Sequence, residues 1–306
     1  MGSSRQSPRT LSGVAYATAA YLTWGVFPFY FHALNGIPAP EILAHRILWS
    51  AAFMTLLVTG RHRWGGVLRQ LRAPGTIGAL ALSATFISTN WVVYIWAVNS
   101  GRVLEASLGY YINPLVTVLL GVLFLRDPLT RRQKIAIALA ALGVAVLVIR
   151  AGQVPWVALA LAVTFGFYGL IRKRARVDAT AGLLTEVVLL APFAALYLAW
   201  LGRAGMSHFG VSGKHSALLA ASGVVTALPL MWFAVGVQRL RLSTVGLLQY
   251  LNPTMQFSIA VFAFGEPFTA AHAMAFACIW FSLAIYTAEA LALTRPSGRL
   301  ARARTQ

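Results

Sequence analysis

Tyr111-Ile112-Asn113-Pro114, followed by Asp127-Pro128-Leu129-Thr130, recurs as Tyr250-Leu251-Asn252-Pro253 and Glu266-Pro267-Phe268-Thr269. Both pairs are offset by 139 residues, so the register holds without a gap. The flanking charges do not recur. The first copy runs into Arg131, Arg132 and Lys134, the second into Ala270, Ala271 and His272. Lysine and arginine beside membrane spans stay on the cytoplasmic face. Two copies of one segment with opposite basic flanks therefore predict opposite orientations in a bilayer, an inverted-topology repeat.

Composition agrees with a bilayer as solvent. Apolar residues make up 58% and charged residues 10% of 306 positions, against about 25% charged in soluble domains. The formal net charge of +18 sits in short gaps between apolar runs, where it reads as a topology signal. No basic stretch interleaved with aromatics argues for nucleic acid. The single cysteine, Cys278, lies in an apolar run, and no Cys/His cluster has metal spacing. Gly213-Lys214-His215 lacks the hydroxyl of a nucleotide cradle. The sequence therefore implies no cofactor and no ATP-driven engine.

Ten apolar runs are expected to span, near 11–32, 39–59, 76–99, 104–125, 132–149, 155–171, 180–201, 216–237, 242–264 and 268–291. With the amino terminus in the cytoplasm, twenty of the 25 Lys and Arg fall on the inner side and four on the outer, and Arg46 falls inside a span. This split predicts a multi-pass protein of the cytoplasmic membrane with both termini inside. Residues 1–10 form a cytoplasmic amino-terminal segment, and 292–306 a basic cytoplasmic tail facing lipid headgroups. Between them lie two five-helix repeats, 11–150 and 151–291. Thr23-Trp24-Gly25 matches Thr164-Phe165-Gly166, and Ala97-Val98 matches Gly236-Val237. An odd number of spans per half forces the second half to start on the opposite side. The expected fold is thus an all-α polytopic membrane protein of ten transmembrane helices, arranged as two inverted five-helix repeats.

Several segments resemble a known family. They are Trp24-Gly25 with Pro28 and Tyr30, Glu41-Ile42-Leu43-Ala44-His45-Arg46 with Trp49-Ser50, and Asn90-Trp91 with Tyr94-Ile95-Trp96-Ala97-Val98-Asn99. Leu108-Gly109-Tyr110-Tyr111-Ile112-Asn113-Pro114, Phe167-Tyr168-Gly169-Leu170-Ile171-Arg172-Lys173 and Gln249-Tyr250-Leu251-Asn252-Pro253 complete the pattern. Over about residues 11–290 the chain resembles EamA-type members of the drug/metabolite transporter superfamily, of the RarD-type permease group. The resemblance implies ten helices in a basket and transport, in the direction of export, of a small organic solute. It leaves the cargo open. Small multidrug transporters of the same superfamily use a Glu deep in their first span. This chain has no carboxylate there.

The candidate site rests on the residues themselves. Tyr110, Asn113 and Thr117 share a helix face, and Gln249, Asn252 and Gln256 stand at the same positions 139 residues on. Lipid cannot satisfy amide groups, so such stripes face protein or a wet cavity. Pro114 and Pro253 remove backbone donors beside each Asn. Asn90 and Tyr94 lie one turn apart beside Trp91, and Trp24, Tyr168 and Trp232 add large rings that suit planar or cationic solutes. Arg46 and Glu186 are the buried intramembrane charges, equivalent at an offset of 140. They pair with each other, hold opposite ends of a zwitterion, or help move protons. Glu41 and His45, one turn apart, are candidates with Glu186 for coupling, or bond Arg46. Asp127 and Glu266 precede Pro and Thr in matching turns, where capping is the expected role.

Alternating access by an inverted repeat is the reading these features favour. The competing reading is an integral membrane enzyme acting on a lipid-linked substrate with His45, Glu41 and Glu186. No metal motif or nucleophile constellation accompanies those residues. Oligomeric state, solute and driving ion are not encoded in any recognisable motif.

Overall fold

The computed structural model describes residues 8–125, 130–151, 154–175, 177–239 and 248–294, and every element among them is helical. The chain order is α1 (Pro8–Gly25), α2 (Phe27–His32), α3 (Ala39–Gly60), α4 (Trp64–Leu71), α5 (Thr76–Asn99), α6 (Val103–Leu125), α7 (Arg131–Ala151), α8 (Trp156–Ala175), α9 (Ala179–Arg203), α10 (Gly213–Arg239), α11 (Leu251–Ser258) and α12 (Ala270–Thr294). A π-helical turn, Ile259–Ala263, continues α11. Segments Ala39–Gly60, Thr76–Asn99, Val103–Phe124, Ala179–Arg203 and Gly213–Phe233 are each long and apolar enough to cross a membrane, and Trp156–Arg172 and Ala270–Ile285 are shorter apolar helices.

The expected first run, 11–32, is two helices. Pro28 lies in the first turn of α2 and has no N–H to give to the carbonyl of Trp24, so the helix breaks at Val26. The freed carbonyl receives a hydrogen bond at 3.4 Å from the Gln256 amide of α11. α4 is an addition to the ten apolar runs. Its apolar Trp64, Val67, Leu68 and Leu71 recur at helical spacing between Arg63 and Arg72, the pattern of a short helix lying at an interface. The expected turn at Asp127, the start of the ninth run and most of both terminal segments lie outside the described residues.

The helices pack in crossed pairs. α6 and α5 lie on α8, α1 and α3 on α10, α3 and α5 on α9, α11 on α6 and α1, and α7 on α12. The main core runs through α2, α3, α5, α6, α7, α8 and α12, centred on Phe31, Ile95, Leu108, Leu161, Phe276 and Ile279. Polar side chains reach backbone carbonyls at the crossings. Ser107 donates to Pro253 at 2.8 Å, Ser282 to Ala136 at 2.5 Å, and Asn90 to Leu161 at 3.0 Å. Tyr111 stacks on its equivalent Tyr250 with centroids 6.4 Å apart, and its hydroxyl meets Thr254 at 2.6 Å.

Glu266 is a cap, but of a helix distant in sequence. Its carboxylate accepts the N–H groups of Val103 at 2.6 Å and Leu104 at 2.8 Å, the otherwise unpaired donors of the first turn of α6. Burial pushes its carboxyl above the usual range, against the pull of the Leu104 and Val103 amides. Glu105 likewise accepts from Val157, the start of α8, at 3.0 Å. Asp178 caps α9 through Ala181 N–H at 2.8 Å and is gripped by Gln70 of α4 on both its carboxylate and its N–H. Burial pushes the Asp178 carboxyl up, but the hydrogen bonds from Ala181, Gln70 and Thr180 outweigh it and hold the group below its ordinary value.

Replacing Glu266 by Ala strands two buried N–H groups of α6. The expected loss is about 1–3 kcal/mol of stability, read as a lower unfolding midpoint in detergent, with Glu266→Gln in between. An unchanged midpoint for Glu266→Ala would remove this cap from the list of fold determinants.

Candidate functional site

Arg46 sits two turns into α3, only 4% exposed. Its guanidinium carbon lies 4.3 Å from the centroid of the Trp91 ring, 5.6 Å from Phe31 and 5.9 Å from Phe27. Tyr30, Tyr94 and Tyr110 stand near enough to interact with it electrostatically. Among the described residues no carboxylate lies within 4 Å of it. Its Nε and the nearby Tyr94 hydroxyl are buried and lack any hydrogen-bond partner. α2, α3, α5 and α6 thus build a box of rings around one cation. The α1–α2 break is what turns Phe27, Tyr30 and Phe31 toward it.

Glu186 stands elsewhere. It is 1% exposed on α9, accepts from Ser83 Oγ of α5 at 2.7 Å, and faces Arg172 Nε of α8 at 3.6 Å. Tyr168, one turn before Arg172, is near enough to interact with it electrostatically. Gly182 makes the approach possible, because a Cβ there would stand 1.5 Å from an Arg172 nitrogen. Of the three readings of Arg46 and Glu186, pairing with each other is corrected: Glu186 has taken Arg172, which the sequence reading did not connect with it. A row of rings, Phe31, Tyr94, Tyr110, Phe165 and Tyr168, runs between the two clusters, with neighbouring centroids 5.7–6.5 Å apart.

The amide-bearing residues divide in two. Asn90 is committed to the fold, giving its amide to Leu161 and to Thr164 Oγ1, both at 3.0 Å on α8. Gln256 donates to Asn252 at 2.7 Å and to the Trp24 carbonyl, yet its own carbonyl oxygen is buried and unpaired. Asn113 Oδ1 is unpaired in the same way. Trp24 packs on Phe233 at 5.6 Å, while Trp232 and Gln249 are half-buried. Trp24, Asn252 and Gln256 thus form one group, and Arg46, Trp91, Tyr94 and Tyr110 another.

Glu41 does not bond Arg46. Fully buried at the start of α3, it accepts the N–H of His208 at 2.8 Å and meets His208 Nδ1 at 2.7 Å. His45 stacks on Phe209 with centroids 4.9 Å apart. The loop after α9 is thereby fastened onto α3, beside a cleft of about 670 Å³ lined by Pro38, Tyr197, Trp200, Met206, His208 and Val211. Sequence reasoning missed Ser83, Tyr30, Phe165, Arg172 and His208 as parts of these clusters. Tyr30 and Arg172 carried a signal through their places in the family pattern, and Phe165 through the internal repeat.

Comparison with known proteins follows this geometry. The model of the EamA-like transporter family matches residues 11–149. Protein RarD of Salmonella typhimurium is 45% identical over 284 residues, covering 92% of this chain and 97% of that protein. An uncharacterized transporter of Vibrio cholerae is 44% identical over 280 residues, covering 91% and 93%. One protein of known crystal structure superposes with a TM-score of 0.59 at 22% identity, covering 93% of this chain and 99% of that one, which shows a shared fold.

Removing Arg172 leaves Glu186 buried and unpaired, so Arg172→Ala is expected to cost about 3–5 kcal/mol. The double change Arg172→Leu with Glu186→Leu is expected to recover most of that loss. Thermal unfolding of the four-member cycle checks this, and strictly additive effects would break the assigned pair.

Proposed function

The chain belongs to the EamA-like transporter family, alongside the RarD proteins, and from that premise we propose that it is a permease that exports a small organic metabolite or drug. The cargo passes through a central site between two inverted five-helix repeats, residues 11–150 and 151–291, which open alternately to the two faces of the cytoplasmic membrane. Both termini lie in the cytoplasm in this reading, which the distribution of Lys and Arg supports. Membership of a transporter family weighs against the enzyme alternative.

One observation carries the reading: among the described residues the principal helix crossings are preserved when the two halves are exchanged. Match α1–α2 with α8, α3 with α9, α5 with α10, α6 with α11 and α7 with α12. The α6–α8 crossing then becomes α1–α11, α5–α8 becomes α1–α10, and α3–α10 becomes α5–α9, and all of these crossings exist. The α3–α9, α6–α11 and α7–α12 crossings map onto themselves. The correspondence reaches single residues. A Cβ on Gly25 would meet Met255 Sδ at 2.7 Å, and one on its equivalent Gly166 would meet Val116 Cγ1 at 3.1 Å, where Val116 is the equivalent of Met255. A two-fold of this kind, in a chain with five spans per half, supports opposed halves and a site on the axis between them.

The solute site in this reading is lined by Trp24, Arg46, Trp91, Tyr94, Tyr110, Asn113, Tyr168, Gln249, Asn252 and Gln256, with Asn90, Glu186 and Trp232 close behind. Glu41, His45 and Glu186 are its titratable groups. The unpaired oxygens of Asn113 and Gln256 support a polar, hydrated surface there.

Two experiments test this. In a Cys278→Ser background, single cysteines at the equivalent exposed positions Arg131 and Ala270 are expected to react with an impermeant maleimide from opposite faces of the membrane. Labelling from one face alone would end the inverted-repeat reading. Asn113→Leu and Asn252→Leu are expected to lower solute affinity by roughly tenfold each, one hydrogen bond's worth, in proteoliposome flux assays. Unaltered affinity in both would take the amides out of the site.

A further inference from the structure

We propose that the solute recognised by this site is an organic anion, a carboxylate on a flat apolar body, and that Arg46 is the group that binds the carboxylate. The inference rests on the permease reading above and adds its substrate class. Arg46 is buried among Phe27, Phe31 and Trp91, and no carboxylate lies within 4 Å of it among the described residues. Ring faces compensate a guanidinium only in part, since the attraction falls well short of an ion pair in a dry site. A cation held in a membrane without a counter-ion marks a place where an anion or an aqueous path meets it.

The other charged groups close the argument. Glu186 has Arg172 as its counter-charge and accepts from Ser83, so that cluster is balanced in charge, although Glu186 Oε2 and Arg172 Nη1 lack hydrogen-bond partners. Glu41 is occupied by His208 at the far end of its turn. Among the described residues no free carboxylate therefore remains near Arg46 to receive an ammonium group, which argues against a zwitterion or a cation. The open valences beside the guanidinium fit a carboxylate as well. Arg46 Nε lacks an acceptor, and the Tyr94 hydroxyl lacks any partner. Both donate to a carboxylate, as a charge-assisted pair. Trp91, Tyr94 and Tyr110 then offer their faces to the apolar body.

The test uses the full chain in proteoliposomes with benzoate, its neutral isostere benzamide and the cation benzylamine. Benzoate is expected to bind and move at least about tenfold better than the other two. Arg46→Gln is expected to abolish that preference, Arg46→Lys to keep its sign at lower affinity, and Tyr94→Phe to weaken benzoate alone. Arg203→Ala, at the exposed end of α9, serves as the control. Should Arg46→Gln not yield folded protein, the wild-type preference and the Lys variant decide. Equal handling of benzoate and benzamide, or preference for benzylamine, overturns the anion inference while leaving a permease. Movement of none of the three, nor of any solute in a broad metabolite mixture, would instead remove the permease reading beneath it.

Discussion

In hydrocarbon every backbone N–H and C=O must find a partner within the protein, and the whole arrangement follows from how this chain meets that demand. Helices satisfy most groups. Where a proline withdraws a donor, a side chain from another helix has to answer. Pro28 frees the Trp24 carbonyl and Gln256 of α11 comes to it. Helix starts make the same demand, and carboxylates from other elements meet it: Glu266 for α6 and Glu105 for α8. These bonds join segments 52 to 232 residues apart. The polar residues of the spans are accordingly fold determinants first, and a site residue is recognised by what it has left over. Asn90 has spent both amide hydrogens on α8. Arg46, Tyr94, Asn113 and Gln256 each retain a buried polar atom without a partner, as do His45, Asn99, Arg172 and Glu186.

The same logic fixes α9. Its amino-terminal end is held by Asp178, which caps it and grips Gln70 of α4. The loop beyond its carboxyl-terminal end is held by Glu41 of α3 through His208. The α3–α4 segment therefore clasps α9 at both ends as well as along its length. Glu186, two turns into α9, is held at a fixed depth by these two clasps. That sets the depth at which Glu186 meets Arg172 of the preceding helix, at 3.6 Å.

Much of the fold was legible because lipid is an undemanding reader. It requires only length and apolarity, so α5 coincides with its expected run and the other long helices fall within a few residues of theirs. What escaped has physical causes. α4 is too short and too polar on one side to stand out as an apolar run. The break at Val26 depends on one missing N–H inside a stretch that is apolar throughout. The site was less legible. Residue type singled out Arg46, Tyr94, Tyr110 and Asn113 as candidates, but which polar atoms are already satisfied depends on partners from other elements. Arg172 shows the limit most clearly: as one of a basic run ending α8 it reads as a topology signal, yet its side chain turns inward across Gly182 to neutralise Glu186.

Arg46 and Glu186 occupy equivalent positions in the two halves, and their difference is the most telling asymmetry in the molecule. Charges inside a membrane cost at least about 2.5–3.5 kcal/mol. At Glu186 the cost is offset in the resting structure by an arginine and a serine hydroxyl. At Arg46, among the described residues, the rings of Trp91, Phe31 and Phe27 stand where a counter-ion would. If helix packing were the only requirement, a methionine or leucine at position 46 would fill the same box of rings with no such penalty. An uncompensated cation surrounded by aromatic faces is a poor way to hold a fold and a good way to attract an anion. The geometry therefore places the burden of explaining Arg46 on the solute, and that of explaining Glu186 on the scaffold.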